Sequence, residues 1–141
     1  MNILIINPPV HVPTTYSYAL AAMKSELLTM VDEKVSILDL NAWFHANEFK
    51  EYYSKLEQIK KLKDQTKYFE LLKEFYKVTK QTYSIISKTA MLNKELPKID
   101  LLLTQIVKHK PDTIAISVTY NSQIFYAKQI ISLIQKKMPH I

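Results

Sequence analysis

The chain of 141 residues contains no cysteine, no glycine and no arginine. Without cysteine it holds no disulfide, no thiolate-bound zinc and no cysteine-ligated iron–sulfur cluster. Average usage near 7 % would place roughly ten glycines in such a chain. Their absence removes glycine-cradled phosphate sites, whether P-loop or dinucleotide fingerprint. The formal charge is +6, and all 19 basic residues are lysines. Arginine is the side chain suited to bidentate phosphate and base contacts. Its absence argues against a nucleic-acid partner and leaves the lysines as a solvated surface. No apolar run approaches the 18 or so residues of a membrane span, so no membrane partner is expected. The opening Met-Asn-Ile-Leu-Ile-Ile-Asn-Pro-Pro has no basic segment, and its apolar run stops at Ile6. It reads as a strand rather than a signal peptide, and a cytoplasmic location is the expectation that follows.

Hydrophobic residues make up 48 % and charged residues 23 %, an ordinary globular balance in a length typical of one domain, here 1–141. Residues 2–6 form a continuous apolar run stopped by Pro8 and Pro9. Such a run suits a strand buried on both faces of a parallel sheet. Residues 14–30 read as a helix, capped by Thr14 or Thr15, with Tyr18, Ala21, Ala22, Leu27 and Leu28 as its apolar stripe. Residues 34–40 look like a second strand, ending near Asp39 and Asn41. Further on, Pro97 opens a helix through about Lys108, with Ile99, Leu102, Leu103 and Ile106 inward. Residues 113–118 form a third buried strand. Asn121 or Ser122 caps a last helix with Ile124, Ala127, Ile131 and Ile134 inward, stopped by Pro139.

Between these parts, residues 42–94 hold ten of the fifteen aromatics and 11 lysines against six acids. Two helices are predicted there, about 46–63 and 66–92. Phe49, Tyr52, Tyr53, Leu56 and Ile59 recur at helical spacing in the first, and Tyr68, Leu72, Phe75, Thr79 and Ile86 in the second. An antiparallel helical hairpin inserted into the α/β series is the economical arrangement, its aromatic stripe serving as packing.

Strand, helix, strand, inserted helices, helix, strand, helix implies an α/β fold. With right-handed crossovers the three strands form an open parallel sheet covered by helices on both faces. The expected spatial order is 2-1-3, the flavodoxin-like order, which places the topological switch point between strands 1 and 3. Ligands in such sheets lie outside the carboxyl ends of the strands at that point. The residues there are Asn7, Pro8, Pro9, Val10 and His11 after strand 1, and Thr119, Tyr120 and Asn121 after strand 3. Three strands are few for this architecture, and the chain stops where a fourth would begin. Either a longer protein truncated here or a domain that needs a partner is expected, because an unpaired edge on strand 3 would invite pairing.

Two stretches carry a resemblance. One is Ile-Leu-Ile-Ile-Asn-Pro-Pro, followed by Tyr-Ala-Leu-Ala-Ala-Met-Lys and Val-Ser-Ile-Leu-Asp-Leu-Asn. The other is Lys-Pro-Asp-Thr-Ile-Ala-Ile-Ser-Val-Thr-Tyr-Asn-Ser-Gln and the helix ending in Lys-Lys-Met-Pro-His-Ile. Outside 42–94, the chain resembles the N-terminal B12-binding-type domain of class B radical SAM enzymes. The Asp-Leu-Asn-Ala-Trp-Phe-His stretch and the helical insertion look most like enzymes that mature ribosomally made peptides. The resemblance implies a flavodoxin-like, Rossmann-like domain that holds cobalamin against a separate radical SAM catalytic domain, with a peptide as substrate for maturation or methyl transfer. Asn7, Pro8, Pro9 and Val10 would line the corrin from the strand-1 loop. Ser117, Thr119, Tyr120 and Asn121 would approach the cofactor tail. SAM and the 4Fe-4S cluster would belong to the catalytic domain, whose Cys-x-x-x-Cys-x-x-Cys motif this chain lacks. Tyr16-Ser17-Tyr18 stands where a leucine–glycine pair is common in the family. There is no Asp-x-His-x-x-Gly either, so the histidine that ligates cobalt in the methionine-synthase type is absent.

His11 reads as a solvent-exposed loop histidine, and His45, His109 and His140 show no metal-ligand spacing. Asp39 would accept a ribose hydroxyl in a dinucleotide fold, but without the glycine loop a capping or loop role is simpler. There is no aspartate at the end of strand 3 for a phosphate receiver, and no nucleophile–base or carboxylate pair. The alternative to a cofactor domain is a non-catalytic interaction module that binds a peptide or partner subunit through the 42–94 hairpin.

Overall fold

A computed structural model describes residues 1–12 and 18–141. The element order is β1 (Asn2–Asn7), α1 (Tyr18–Met30), β2 (Lys34–Asp39), α2 (Leu40–Glu48), α3 (Lys50–Lys61), α4 (Gln65–Met91), α5 (Ile99–Lys108), β3 (Thr113–Ile116) and α6 (Ile124–Lys137), with a 3₁₀ turn at Asn121–Gln123 before α6. The caps expected at Thr14 or Thr15, and Tyr16-Ser17 of the first helix, lie outside the described residues.

The three strands form one parallel sheet in the order β2-β1-β3. Asn2–Asn7 pairs with Lys34–Asp39, and Ile3–Ile6 with Thr113–Ile116. This is the open α/β sheet expected, and β1 is central because its run is apolar on both faces. Ile3 and Ile5 meet Leu20, Met23 and Leu27 of α1. Leu4 and Ile6 face the larger core with Phe44 of α2, Leu102 and Ile106 of α5, and Tyr126 and Ile130 of α6. Period-2 alternation thus sends alternate side chains into two separate cores.

Several local expectations shift. The second strand ends at Asp39 rather than residue 40, because the Asp39 carboxylate caps α2 by accepting from the Ala42 N–H and starts a helix directly at the strand end. The single helix expected at 46–63 is therefore two, breaking at Phe49, which leaves the helical region at φ −112° and ψ 25° while its ring enters the core. The third strand's ladder ends at Ile116, with one further bond from the Ser117 N–H to the Ile6 carbonyl. The α1 stripe is Leu20, Met23 and Leu27; Tyr18 and Leu28 are exposed, as are Ala21 and Ala22. In α6, Tyr126, Ala127, Ile130 and Ile134 are buried while Ile124 and Ile131 are exposed. Each face is set by the neighbouring layer, which the helix's own pattern does not specify.

The hairpin is not a separable insertion. Phe44, Phe49 and Ile86 belong to the main core, so its base is built into the sheet layer and only its outer part stands free. Left-handed backbone falls on Lys63, Asn93, Lys98 and Lys110, with φ between 46° and 60°. Lys63, Asn93 and Lys110 follow the ends of α3, α4 and α5, positions that commonly take glycine. In a glycine-free chain, long and amide side chains occupy them at a steric cost of about 1 kcal/mol or more each.

Candidate functional site: the strand exits and the hairpin groove

The exits of β1 and β3 are brought together, as their order requires, and one side chain bridges them. Gln123 is 0 % exposed. Its Nε2 donates to Asn7 Oδ1 (2.7 Å) and to the Pro8 carbonyl (2.6 Å). Its Oε1 accepts from the Thr119 and Tyr120 N–H groups at 2.9 and 3.0 Å. All four polar capacities of one amide are thereby used to tie two loops. Ser122 Oγ adds a bond to the Val10 carbonyl at 2.6 Å. Asn7 Nδ2 donates to Asp39 Oδ1 at 3.0 Å, which joins the β2 exit to the same network. The Pro9–Val10 peptide bond is cis.

His11 is buried, at 8 % exposure, rather than the solvated loop histidine expected. Its backbone is held by Asn41, whose Oδ1 accepts from the His11 N–H (3.0 Å) and whose Nδ2 donates to the His11 carbonyl (3.1 Å). Its ring stacks on Tyr120 at 4.9 Å between centroids. Nδ1 lies 2.9 Å from the Val12 carbonyl and Nε2 lies 3.1 Å from Asn7 Nδ2. The carbonyl requires a donor and the amide requires an acceptor, so the ring is the Nδ1–H tautomer with both nitrogens engaged.

The expected site residues therefore divide. Asn7, Pro8, Pro9 and Val10 are buried beneath their own chain, and so is Ser117. Thr119, Tyr120 and Asn121 are exposed and form a crest above them. For cobalamin the fit is confined to that crest: the Gln123 side chain occupies the space between the strand exits where the cofactor tail would enter, and His11 has no free nitrogen for cobalt. Among the described residues no cluster of three or more histidine, aspartate or glutamate side chains could hold a metal ion.

A second feature begins where the first ends. The His11 carbonyl also accepts from Tyr83 Oη at 3.0 Å and lies 3.1 Å from His45 Nε2; Tyr83 Oη and His45 Nε2 are 2.6 Å apart. Sharing that carbonyl makes Nε2 the protonated nitrogen of His45. Its Nδ1 has no hydrogen-bond partner among the described residues. His45 is 2 % exposed, and burial pushes its pKa down to about 4, so the ring is neutral at pH 7. Burial raises the Tyr83 hydroxyl.

His45 and Val12 line the inner end of an apolar groove of about 910 Å³ between α3 and α4. Tyr53 and Leu56 form one wall, and Leu72, Phe75, Tyr76 and Thr79 the other. Lys60 and Tyr68, at its outer end, also line a second hollow of about 570 Å³ at the hairpin turn. The helices are pinned by the Tyr52 hydroxyl donating to Glu74 Oε1 at 2.8 Å and by Tyr52 and Tyr53 packing on Phe75. Tyr68, Leu72, Phe75 and Thr79, read from the sequence as internal packing, thus line an open groove.

Gln123, Tyr83 and the acceptor role of the His11 carbonyl gave no sequence signal, being isolated polar positions on different elements. Asn41 had one, lying two residues past Asp39 at a strand end. No protein-family model, curated protein or solved structure matches the chain. No helix among the described residues is long and apolar enough to cross a membrane.

Proposed function

We propose that the chain is a non-catalytic docking module: an α/β scaffold that carries a helical hairpin whose groove receives a peptide or a partner subunit. The observation that supports it is the groove itself, an apolar cleft of about 910 Å³, within the 300–1,000 Å³ typical of ligand pockets. Tyr76 on its wall and Phe69 in the adjoining hollow are each 59 % exposed, and Leu62 at the end of α3 is 78 % exposed, more apolar surface than a solvated hairpin requires. The test is binding of anilinonaphthalene sulfonate, a dye that fluoresces on apolar surface. The folded chain enhances the dye saturably, and Leu72→Glu removes most of the enhancement with the melting curve otherwise intact. No enhancement by the folded chain, or the same enhancement from the variant, would refute the reading.

The second reading is the cofactor domain of a class B radical SAM enzyme, with cobalamin held against a catalytic domain. The parallel β2-β1-β3 order and the joined exits of β1 and β3 favour it. Of the residues expected at the corrin and its tail, the buried Asn7, Pro8, Pro9, Val10 and Ser117 would support the site from beneath, and the exposed Thr119, Tyr120 and Asn121 would make the contacts. Hydroxocobalamin retained through gel filtration, with a shifted visible spectrum that Tyr120→Ala abolishes, is the expected result. Free passage of the corrin counts against it.

A further inference from the structure

We infer that the occupant of the groove is an amphipathic helix with an apolar face and acidic flanks, carried by a partner protein; this rests on the docking reading above.

The first ground is shape. Two antiparallel helices that leave an open apolar cleft along one side are a helical bundle short of one member. Of the lining positions on α4, Tyr68, Leu72, Phe75, Tyr76 and Thr79 fall on one helical face over three turns, with Lys73 at its edge. Across from them α3 presents Tyr53, Leu56 and Lys60. With 12 residues, α3 is roughly 18 Å long at 1.5 Å per residue. The cleft is matched to about three turns of a helix laid along it, the helix-in-groove mode in which side chains at i, i+3, i+4 and i+7 make the anchors.

The second ground is charge. The stretch 50–91 holds ten lysines against five acids, so the hairpin carries nearly all of the chain's net charge of +6. Lys60 and Lys73 line the groove, and Glu57 is the acid beside them. On the neighbouring turns Lys63, Lys77 and Lys80 are exposed, Lys67 pairs with Asp64 at 3.3 Å, and Glu70 and Glu74 are the exposed acids. A helix with glutamates on both flanks would meet positive potential along its length, while one flanked by lysines would be repelled. Nucleic acid is the other polyanion. Single-stranded bases would stack on aromatic rings rather than fill the aliphatic floor made by Leu56 and Leu72, and the chain has no arginine for bidentate phosphate contacts.

The test uses the full chain and fluorescein-labelled synthetic peptides, read by anisotropy. One has leucines at i, i+3, i+4 and i+7 with glutamate flanks, in about 16 residues so that it holds a helix. The second has the same apolar face with lysine flanks, and the third is the glutamate peptide scrambled. The glutamate-flanked helix is expected to bind saturably and about tenfold more tightly than either comparator, an advantage that shrinks as salt is raised. Leu72→Glu weakens it about tenfold, and the double variant Lys60→Glu, Lys73→Glu narrows the preference for glutamate over lysine flanks. Should Leu72→Glu not fold, Tyr76→Ser takes its place. No binding of the glutamate peptide, equal binding of the lysine or scrambled peptide, or displacement of the glutamate peptide by single-stranded RNA overturns the inference. If the dye binds the groove and flank charge has no effect, this inference falls while the docking reading stands. If the dye does not bind, both fall.

Discussion

Replacing Gln123 by leucine should uncouple the two strand exits, and the cost follows from its four bonds. Leucine is close in volume and leaves little cavity, so the transfer and cavity contributions are small. The polar accounting differs on the two sides. Thr119 and Tyr120 are exposed, so water replaces Gln123 Oε1 at their N–H groups. Asn7 Oδ1 and the Pro8 carbonyl belong to buried residues and lose their donor without replacement. A buried acceptor left unmatched costs about 1–3 kcal/mol, so the pair comes to roughly 2–6 kcal/mol, a large part of the 5–15 kcal/mol that a domain has in total. With a urea slope of about 2 kcal/mol/M, the midpoint should fall by about 1–3 M at unchanged slope. Equilibrium urea unfolding followed by circular dichroism measures it. A loss below about 0.5 kcal/mol, ordinary for a surface substitution, would refute the claim that Gln123 holds the exits together.

Three further outcomes can be checked. The pKa of His45 is lowered from 6.5 to about 4 in the fold, so between pH 6.5 and 4 the unfolded chain binds a proton that the folded chain does not. This contribution is complete above pH 6.5 and is lost as pH falls toward 4, by about 3 kcal/mol at about 1.4 kcal/mol per pH unit; denaturant titrations across that range should show it in the parent and lose it in His45→Phe. Ile86→Ala, at the base of the hairpin and 1 % exposed, should cost about 2–5 kcal/mol. The fluorescence of Trp43, the one tryptophan, should then fall in the same transition as the circular dichroism, whereas two separate transitions would mean that the hairpin folds apart from the sheet. Lys110→Gly, at φ 46°, should raise the thermal midpoint, because relief of about 1–2 kcal/mol of left-handed strain exceeds the 0.5–1 kcal/mol that glycine loses in chain entropy.

Local patterning was enough to place every strand within two residues, because short apolar runs alternating with helices suit a parallel sheet covered on both faces, and its crossovers have one hand. The same patterning announced the hairpin, since aromatics at helical spacing cannot lie along a strand. It also brought Asn7, Pro8, Pro9 and Val10 to one place with Thr119, Tyr120 and Asn121. What it could not register was whether those residues would be open or covered. Their burial depends on Gln123, 116 residues from Asn7, and on Asn41 gripping His11; such bonds form between side chains whose neighbours in sequence carry no trace of them. The faces of α1 and α6 and the open side of the hairpin were settled in the same way, by which layer lies opposite. Periodicity fixes the spacing of an apolar stripe, but only the packing of one element on another decides which stripe is buried and which is left as a groove.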